Sequence, residues 1–300
     1  MKSFIFSFFE RIGLADDDRY FLISAYERLG EEGRALLEHL SDKFYADESL
    51  LIADVAAPLA EVAAKTNIPL YSLHLLFCTV AHRRLQAIYE EKGIEEVRFW
   101  DSAVDLRAKC EECRKQYGVI GISTLPWYGP LFRLERFTFG RLQYGKGTLP
   151  LDAPYEKFGL HIEKGTVIPM IHIPSLGPLP KEERLESYRL AYKFFRGKYG
   201  FGDVVAFGCG TWLIYPPTVA LCKEGSNMKS FAEDFEILAT RVDEVGHNAT
   251  RVFSCNYNGD PTYMPRKTSL QRNLADYLAA GNKMGYGYGI IPFDGEKILR

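Results

Sequence analysis

One histidine of this chain lies where a side chain could take a proton from a reacting group. His172 stands near the end of an apolar segment, VIPMIHIP at residues 167–174, whose composition is typical of a buried strand. An imidazole has an ordinary pKa near 6.5 and therefore suits a general base at neutral pH. His172 also shares a strand face with Ile168 and Met170. A core histidine with satisfied ring nitrogens is the alternative interpretation.

Two further reactive side chains, Cys209 and Tyr215, begin and end the segment CGTWLIY. A tyrosine hydroxyl can donate a proton to a leaving group. A cysteine thiol can carry a transferred group covalently, provided that a base activates it. The sequence identifies no such base beside Cys209, so a covalent role stays the weaker hypothesis.

The segment SLGPLP at residues 175–180 precedes a predicted helix. Backbone amides at the start of a helix bind phosphate groups well. The segment holds one glycine and two prolines, which lack an N–H, and Glu182 and Glu183 follow it. Both acids suit the helix dipole without a ligand and would repel a phosphate. A proline-rich turn into a helix is therefore the alternative to a phosphate-binding loop.

Other patterns exclude several classes of site. Cys110 and Cys113 form a CEEC pair without a second Cys or His pair at zinc spacing, so we expect no metal. GYGYG at residues 285–289 follows a predicted helix and not a strand, which contradicts the dinucleotide-binding fingerprint. A close-packed final strand is the favoured interpretation. The complete P-loop motif GxxxxGK[ST] is absent, and so are HExxH and GxSxG.

Composition narrows the class of partner. The 300 residues are 47% hydrophobic and carry a formal net charge of −2. No basic tract interleaves with aromatic residues, so the sequence does not predict nucleic-acid binding. The apolar run at residues 4–9 is too short for a signal segment or a membrane span. We expect a cytoplasmic protein with reduced thiols that acts on a small molecule or a protein.

Proline and glycine divide the chain into two parts. Only 2 of 15 prolines and 4 of 26 glycines precede residue 118, so turns are concentrated in the second part. We predict a helical domain of four or five helices at residues 1–121 and a mixed domain of strands and helices at residues 122–300.

Periodicity predicts individual helices. Apolar residues recur at helical spacing between Pro69 and Gly93. A Ser230 to Glu233 capping box predicts a helix start in SFAEDFEIL, and Thr268 with Gln271 predicts the start of the last helix.

Alternation predicts the strands. Residues 133–144, RLERFTFGRLQY, alternate over a strand length, and Gly145 with Gly147 is expected to end this strand in a turn. VVAFGC is expected to form a buried strand. Pro169 cannot donate to a strand ladder, so we expect it at a sheet edge or a bulge.

Three segments, at residues 133–144, 167–180 and 209–231, occur in an order and spacing that resemble one family. These are the acyltransferases that join a helical N-terminal domain to a C-terminal domain like the Gcn5-related N-acetyltransferases (GNAT). The resemblance extends from about Trp100 to Gly289 and implies an α+β fold. It implies acetyl-CoA or another acyl-CoA as co-substrate and an amine as acceptor.

In this family the acyl-CoA lies where a central strand parts from its neighbour. The resemblance implies that His172 accepts the amine proton and that Tyr215 protonates the leaving thiolate. Direct attack is expected, and an acyl group held on Cys209 is the rival mechanism. A non-catalytic module that binds acyl-CoA or a peptide is the rival function. The coenzyme would contact the segment that follows the strand, at Ile173, Ser175, Leu176, Gly177 and Leu179.

Overall fold

The computed structural model describes residues 1–300 and divides them into two compact units. The first unit comprises Met1–Thr138 with Pro174–Leu176, and the second comprises Phe139–Ile173 with Gly177–Arg300. The first unit is helical and the second is mixed, so the predicted α+β class is confirmed. The placement of a domain boundary near residue 122 stays a prediction.

The first unit contains more and shorter helices than the four or five predicted. Val104 separates α7 from α8, and Ala57 with Pro58 separates α4 from α5. The helices are α1 Lys2–Arg11, α2 Asp16–Arg28, α3 Gly30–Ala46, α4 Ile52–Ala56, α5 Leu59–Thr66, α6 Leu70–Glu91, α7 Glu96–Ala103 and α8 Asp105–Tyr117, followed by a 3₁₀ turn Leu125–Tyr128 and by α9 Gly129–Phe132. Prediction missed these breaks because short helices carry too few turns to show a period.

Helix α6 is the centre of the first unit and contacts α1, α2, α3, α5, α7 and α9. It begins directly after Pro69, whose extended backbone precedes the first helical residue, and Gly93 follows its end with a positive φ. Most of its side chains are buried, including Leu73 and Phe77. Burial is nearly continuous over residues 72–82, whereas Arg83 and Arg84 are exposed. The predicted helix between Pro69 and Gly93 is confirmed.

The chain forms a six-stranded sheet with the order β1-β2-β5-β6-β8-β7 and a separate hairpin of β3 and β4. All of these strands belong to the second unit except β1, of which only the last residue, Phe139, does. Pairs in the sheet are antiparallel for β2 with β5, for β6 with β8 and for β7 with β8, while β5 and β6 are parallel. The strands are β1 Arg136–Phe139, β2 Leu142–Gly147, β3 Tyr155–Lys157, β4 Leu160–Ile162, β5 Ile168–His172, β6 Val205–Thr211, β7 Glu236–Val242 and β8 Gly285–Phe293.

The segment at residues 133–144 is two strands and not one. Gly140 has a φ of +60° and makes the turn between β1 and β2, whereas Gly145 and Gly147 lie within β2. The alternation of side chains continues through the turn, so it conceals the break in the sequence. The predicted buried strand at VVAFGC is confirmed as β6.

Five helices complete the second unit, with a 3₁₀ turn Trp212–Ile214 between β6 and α11. The Thr268 and Gln271 capping box of the last helix is present as predicted. The predicted Ser230 capping box is wrong, because Ser230 lies inside the helix Asn227–Ala232, which Ser226 caps, and Glu236 already lies in β7. The helices are α10 Lys181–Phe195, α11 Pro216–Ala220, α12 Asn227–Ala232, α13 His247–Phe253 and α14 Ser269–Ala279.

Pro169 lies in the interior of the sheet, so its predicted place at an edge or bulge is wrong. It is buried in β5, between β2 and β6, and stands opposite Lys146 of β2. The sheet tolerates it because β6 is paired with β5 at one position only, Met170 with Gly208, which leaves few ladder bonds for a proline to interrupt. None of the helices has the length and hydropathy needed to cross a membrane.

Candidate active site

The two parallel strands at the centre of the second unit part from each other. Met170 of β5 stands opposite Gly208 of β6, and no residue beyond that pair is in register. Close packing holds the strands together at this point, since a Cβ atom on Gly208 would lie 2.5 Å from the Met170 sulfur. Beyond the pair, no residue of β5 is in backbone register with β6.

The sheet has two different faces at this parting. One face carries Phe207 and Phe293, whose rings lie 6.2 Å and 6.0 Å from the ring of Tyr188 on α10. We call it the helix face. Because side chains alternate along a strand, the neighbouring residues Met170 and Gly208 point to the other side. We call that side the Met170 face.

His172 lies on the Met170 face, at the last residue of β5. It is two residues beyond Met170 and stands opposite Gln143 of β2. Its side chain is half-buried. The imidazole is therefore placed at the parting of the strands, on the side away from α10.

Tyr215 lies on the helix face. It follows the Trp212–Ile214 turn after β6, and 8% of it is exposed. Its ring packs on Gly285, where a Cβ atom would lie 2.8 Å from the ring. Gly285 has the same parity in β8 as Phe293, which packs on α10. A proton donor and a proton acceptor thus stand on opposite faces of the sheet.

Cys209 is enclosed in the sheet. It is fully buried, and its thiol donates to the carbonyl oxygen of Ile171 over 3.4 Å. Burial raises the pKa of the Cys209 thiol well above its ordinary value. A thiol of this kind is mostly protonated at neutral pH and weakly nucleophilic. The geometry weighs against Cys209 as a carrier of the acyl group.

The predicted phosphate loop turns sharply between β5 and α10. The Leu176 amide donates to the carbonyl of Pro174 over 2.8 Å, so it is already used. Gly177 is exposed and has a φ of +90°, which few residues other than glycine adopt. Ser175 is exposed, Ile173 and Leu176 are half-buried and Leu179 is buried. The amides of Gly177 and Leu179 donate to no group of the chain.

Sequence reasoning missed a cation beside this loop. Arg141, in the turn between β1 and β2, donates from Nη2 to the Gly177 carbonyl over 2.9 Å and from Nε to the Pro178 carbonyl over 3.2 Å. Partial burial lowers the pKa of Arg141, while the charge of Glu183 acts in the opposite direction. A guanidinium so placed would offset the repulsion between Glu183 and a phosphate. No local signal could find Arg141, which lies 36 residues from Gly177 along the chain.

A buried ion pair fixes the start of α10. Arg184 is fully buried and donates from Nε to Asp234 over 2.7 Å, and from Nη1 to the carbonyl of Leu179 over 2.8 Å. Its Nη2 reaches the Ser230 carbonyl, and the Tyr188 hydroxyl donates to Asp234. Arg184 therefore holds α10, α12 and the end of the loop together. The sequence did contain a signal for this ion pair. Arg184 lies one turn before Tyr188 on the apolar face of α10, and a buried charge requires a partner.

A cavity of about 450 Å³ lies beside the β3–β4 hairpin and is lined by residues 151–157, Glu236 and Leu238. Lys157 pairs with Glu236 at 2.5 Å, and the Tyr155 hydroxyl donates to the same carboxylate over 3.4 Å. Burial raises the pKa of Tyr155 to about 12. The structure contains no group of three or more His, Cys, Asp or Glu side chains that could hold a metal ion.

Family comparisons assign both parts of the chain. Residues 3–134 match the model of an N-acyltransferase N-terminal domain, and residues 136–291 match that of a GNAT-like C-terminal domain. The resemblance predicted from three segments is confirmed. A search of curated proteins finds no significant relative.

Solved structures of similar fold are acyltransferases. One is a crystal structure of an acyltransferase in complex with CoA and 10C-teicoplanin, with a TM-score of 0.69, 20% identity, and coverage of 94% of this chain and 85% of that one. A second, in complex with decanoyl-CoA and teicoplanin, has a TM-score of 0.68, 21% identity, and coverage of 95% and 86%. At such identities the likeness shows the fold alone.

Proposed function

We propose that this chain, which belongs to the family of N-acyltransferases with a GNAT-like C-terminal domain, transfers an acyl group from coenzyme A to an amine by direct attack. The observation that carries the proposal is the parting of β5 and β6 beyond Met170 and Gly208. The thioester would lie at this parting, between a proton acceptor and a proton donor.

The donor would approach from the helix face. Gly177 and Leu179 offer amides to the pyrophosphate, and the Arg141 charge lies beside them. Arg184 keeps the end of this loop in place through the Leu179 carbonyl. The two prolines leave fewer donors than a glycine-rich loop, so the cation supplies part of the attraction to phosphate.

The acceptor would approach from the Met170 face. His172 takes a proton from the attacking amine, whose nitrogen forms the new amide bond with the thioester carbon. As the carbon–sulfur bond breaks, Tyr215 protonates the departing thiolate from the helix face. A backbone amide of the segment after β5 stabilises the negative oxygen that develops. The base thus acts on the entering amine from the Met170 face, and the acid acts on the leaving thiolate from the helix face.

The acyl group and the acceptor are proposed by class. The structural neighbours were crystallised with octanoyl-CoA, decanoyl-CoA and teicoplanin, so medium-chain donors and an amine acceptor are the first to test here. We place the reaction in the cytoplasm, because all six cysteines are free thiols and disulfides are rare there.

The test is a thermal-shift titration of the full chain with acetyl-CoA, octanoyl-CoA and decanoyl-CoA. A ligand at 100 times its Kd should stabilise the folded state by about 2.7 kcal/mol. Gly177→Asp should abolish binding, because it places a side chain and a negative charge at the phosphate approach.

Gly177→Asn is the matched control, since asparagine has the same shape and the same backbone tolerance without the charge. We expect the Kd of Gly177→Asn for acyl-CoA to be at least about tenfold lower than that of Gly177→Asp. Equal binding by the folded Gly177→Asp variant and the native protein would remove this loop from the coenzyme site.

A further inference from the structure

The segment GYGYG at residues 285–289 has two faces with different roles. Its glycines lie on the helix face, where a Cβ atom on Gly285 would meet the Arg241 carbonyl at 2.5 Å and one on Gly289 would meet Phe235 at 3.0 Å. A Cβ atom on Gly287 would overlap the backbone of Ile214. These glycines therefore serve packing, because only they allow the turn before Tyr215 to lie on the sheet.

The tyrosines of the same segment point to the Met170 face. Tyr288 stands opposite Gly210 of β6, and its ring lies over that glycine, where a Cβ atom would be 2.8 Å from Cε1. Because Met170 and Gly208 are paired, the residues two further along each parallel strand are His172 and Gly210. The ring of Tyr288 thus lies over β6, which is the strand between β8 and the His172 strand β5, on the same face as His172.

Tyr286 extends this aromatic surface. The rings of Tyr286 and Tyr288 are 6.5 Å apart and inclined by 31°. Both side chains are half-buried, and the chain supplies no hydrogen-bond partner to either hydroxyl. Half-buried rings with unused hydroxyls are suited to contact a ligand.

Charge on this face decides between ligand classes. Arg241 of β7 stands opposite Tyr286, so a cation resting on the rings would meet a like charge. Glu236, the acid on the same face, is already paired with Lys157. The rings therefore favour a flat apolar group over a cationic one.

We infer that Tyr286 and Tyr288 form the acceptor subsite and that the acceptor is an amine that carries an aromatic ring a short distance from its nitrogen. The inference rests on the proposed function. Paired strands are about 5 Å apart, and β5 and β6 have already parted at His172. A ring on Tyr288 and an amine at His172 must therefore be joined by at least two carbons. Tyr288 contacts the ring, and Tyr286 supports it from the side.

The test uses 2-phenylethylamine and its saturated counterpart 2-cyclohexylethylamine as probes, with the full chain saturated with coenzyme A. Affinities are measured by calorimetry. The native protein should bind the aromatic probe more tightly, and Tyr288→Leu should weaken that binding by roughly tenfold, because a stacked ring pair and its buried area are lost. Tyr288→Phe keeps the ring and should bind like the native protein.

Tyr263→Leu is the matched control, since Tyr263 is 86% exposed outside this surface. Coenzyme binding, measured in the same samples, shows whether each variant is folded. Equal affinity in Tyr288→Leu, or no preference for the aromatic probe, overturns the inference. Acyl transfer is measured separately: aromatic binding that depends on Tyr288 without transfer would contradict the proposed function alone, and transfer without that dependence would contradict this inference alone.

Discussion

Two histidines, one in each unit, show how the surroundings determine what an imidazole can do. His82 of α6 is fully buried, with the rings of Phe132 and Phe8 at 4.9 Å and 5.3 Å. Its Nδ1 is bonded to the carbonyl oxygen of Cys78 over 2.7 Å. Burial lowers the pKa of His82 to about 4. This imidazole stays neutral near pH 7 and serves packing.

His172 of the second unit is only half-buried. It is the last residue of β5, beyond the position at which β5 is paired with β6. The rings of Phe207 and Phe293 pack on the other face of the sheet, around α10, while Tyr286 and Tyr288 lie on the face of His172. Nε2 is buried in both histidines, but the side chain of His172 is half-buried as a whole, whereas aromatic rings enclose that of His82. The difference identifies His172 as the candidate base, and the following predictions test it in decreasing order of effect.

The largest effect concerns stability and pH at His82. Between pH 6.5 and about 4 the unfolded chain binds a proton at this site and the folded chain does not, so stability falls as pH falls. A difference of about 2.5 pKa units corresponds to a loss of about 3 kcal/mol at the low end. Urea unfolding followed by tryptophan fluorescence at several pH values measures it.

His82→Leu supplies the control for this titration, because leucine has no proton to bind. Between pH 6.5 and 4 its free energy of unfolding should fall less steeply than that of the native protein. The difference in slope should correspond to about one proton fewer bound on unfolding. Parallel curves for the two proteins would show that His82 is protonated in the folded state, and the contrast between the histidines would then disappear.

The second effect concerns turnover at His172. His172→Gln should lower kcat by roughly 10²-fold, equivalent to about 2.7 kcal/mol, because a positioned general base contributes that much. The affinity for acyl-CoA should change little. Steady-state kinetics with a saturating donor measure the change, and His82→Leu, corrected for its folded fraction, is the matched control. Native turnover in a folded His172→Gln variant would assign this histidine to packing as well.

The helix and the strand that carry the two histidines could be predicted from the sequence, since strong local patterns determine them, but the burial of His82 was not predicted. The spacing between Pro69 and Gly93 predicted α6, and the run VVAFGC predicted β6. The turn at Gly140 was missed because alternation continues through it. The position of Pro169 was predicted wrongly, because the missing N–H of a proline excludes it from the interior of a sheet only where the neighbouring strand would accept a hydrogen bond at that position.

The candidate site was predictable only in part. His172 and Tyr215 were singled out by residue type and family resemblance, but their opposite faces follow from strand register, which no single segment specifies. Arg184 and Asp234 are 50 residues apart, and Arg141 is 36 residues from Gly177. Such pairs are formed by tertiary packing, so a sequence shows at most that a buried charge lacks a local partner.

The smallest expected effect concerns two cysteines whose surroundings are alike, whereas the surroundings of the two histidines differ. Cys78 and Cys209 are both fully buried, and burial raises the pKa of each thiol well above its ordinary value. If burial decides reactivity, Cys209 should be as inert as Cys78. Cys209→Ala should then retain at least about a tenth of the activity, because a small cavity costs far less than a lost nucleophile.

Intact-mass spectrometry after incubation with donor alone tests the same point directly. Direct attack requires the amine to be present before the thioester breaks, so no acyl group should rest on the protein when the amine is missing. Cys78→Ala controls for the loss of a buried thiol in a unit without the proposed chemistry. An acyl adduct on Cys209, with an inactive but folded Cys209→Ala variant and an active Cys78→Ala variant, would replace direct attack by a covalent mechanism. The base for that thiol would then have to come from a rearrangement that opens β6, since the resting structure holds the Cys209 thiol against the Ile171 carbonyl.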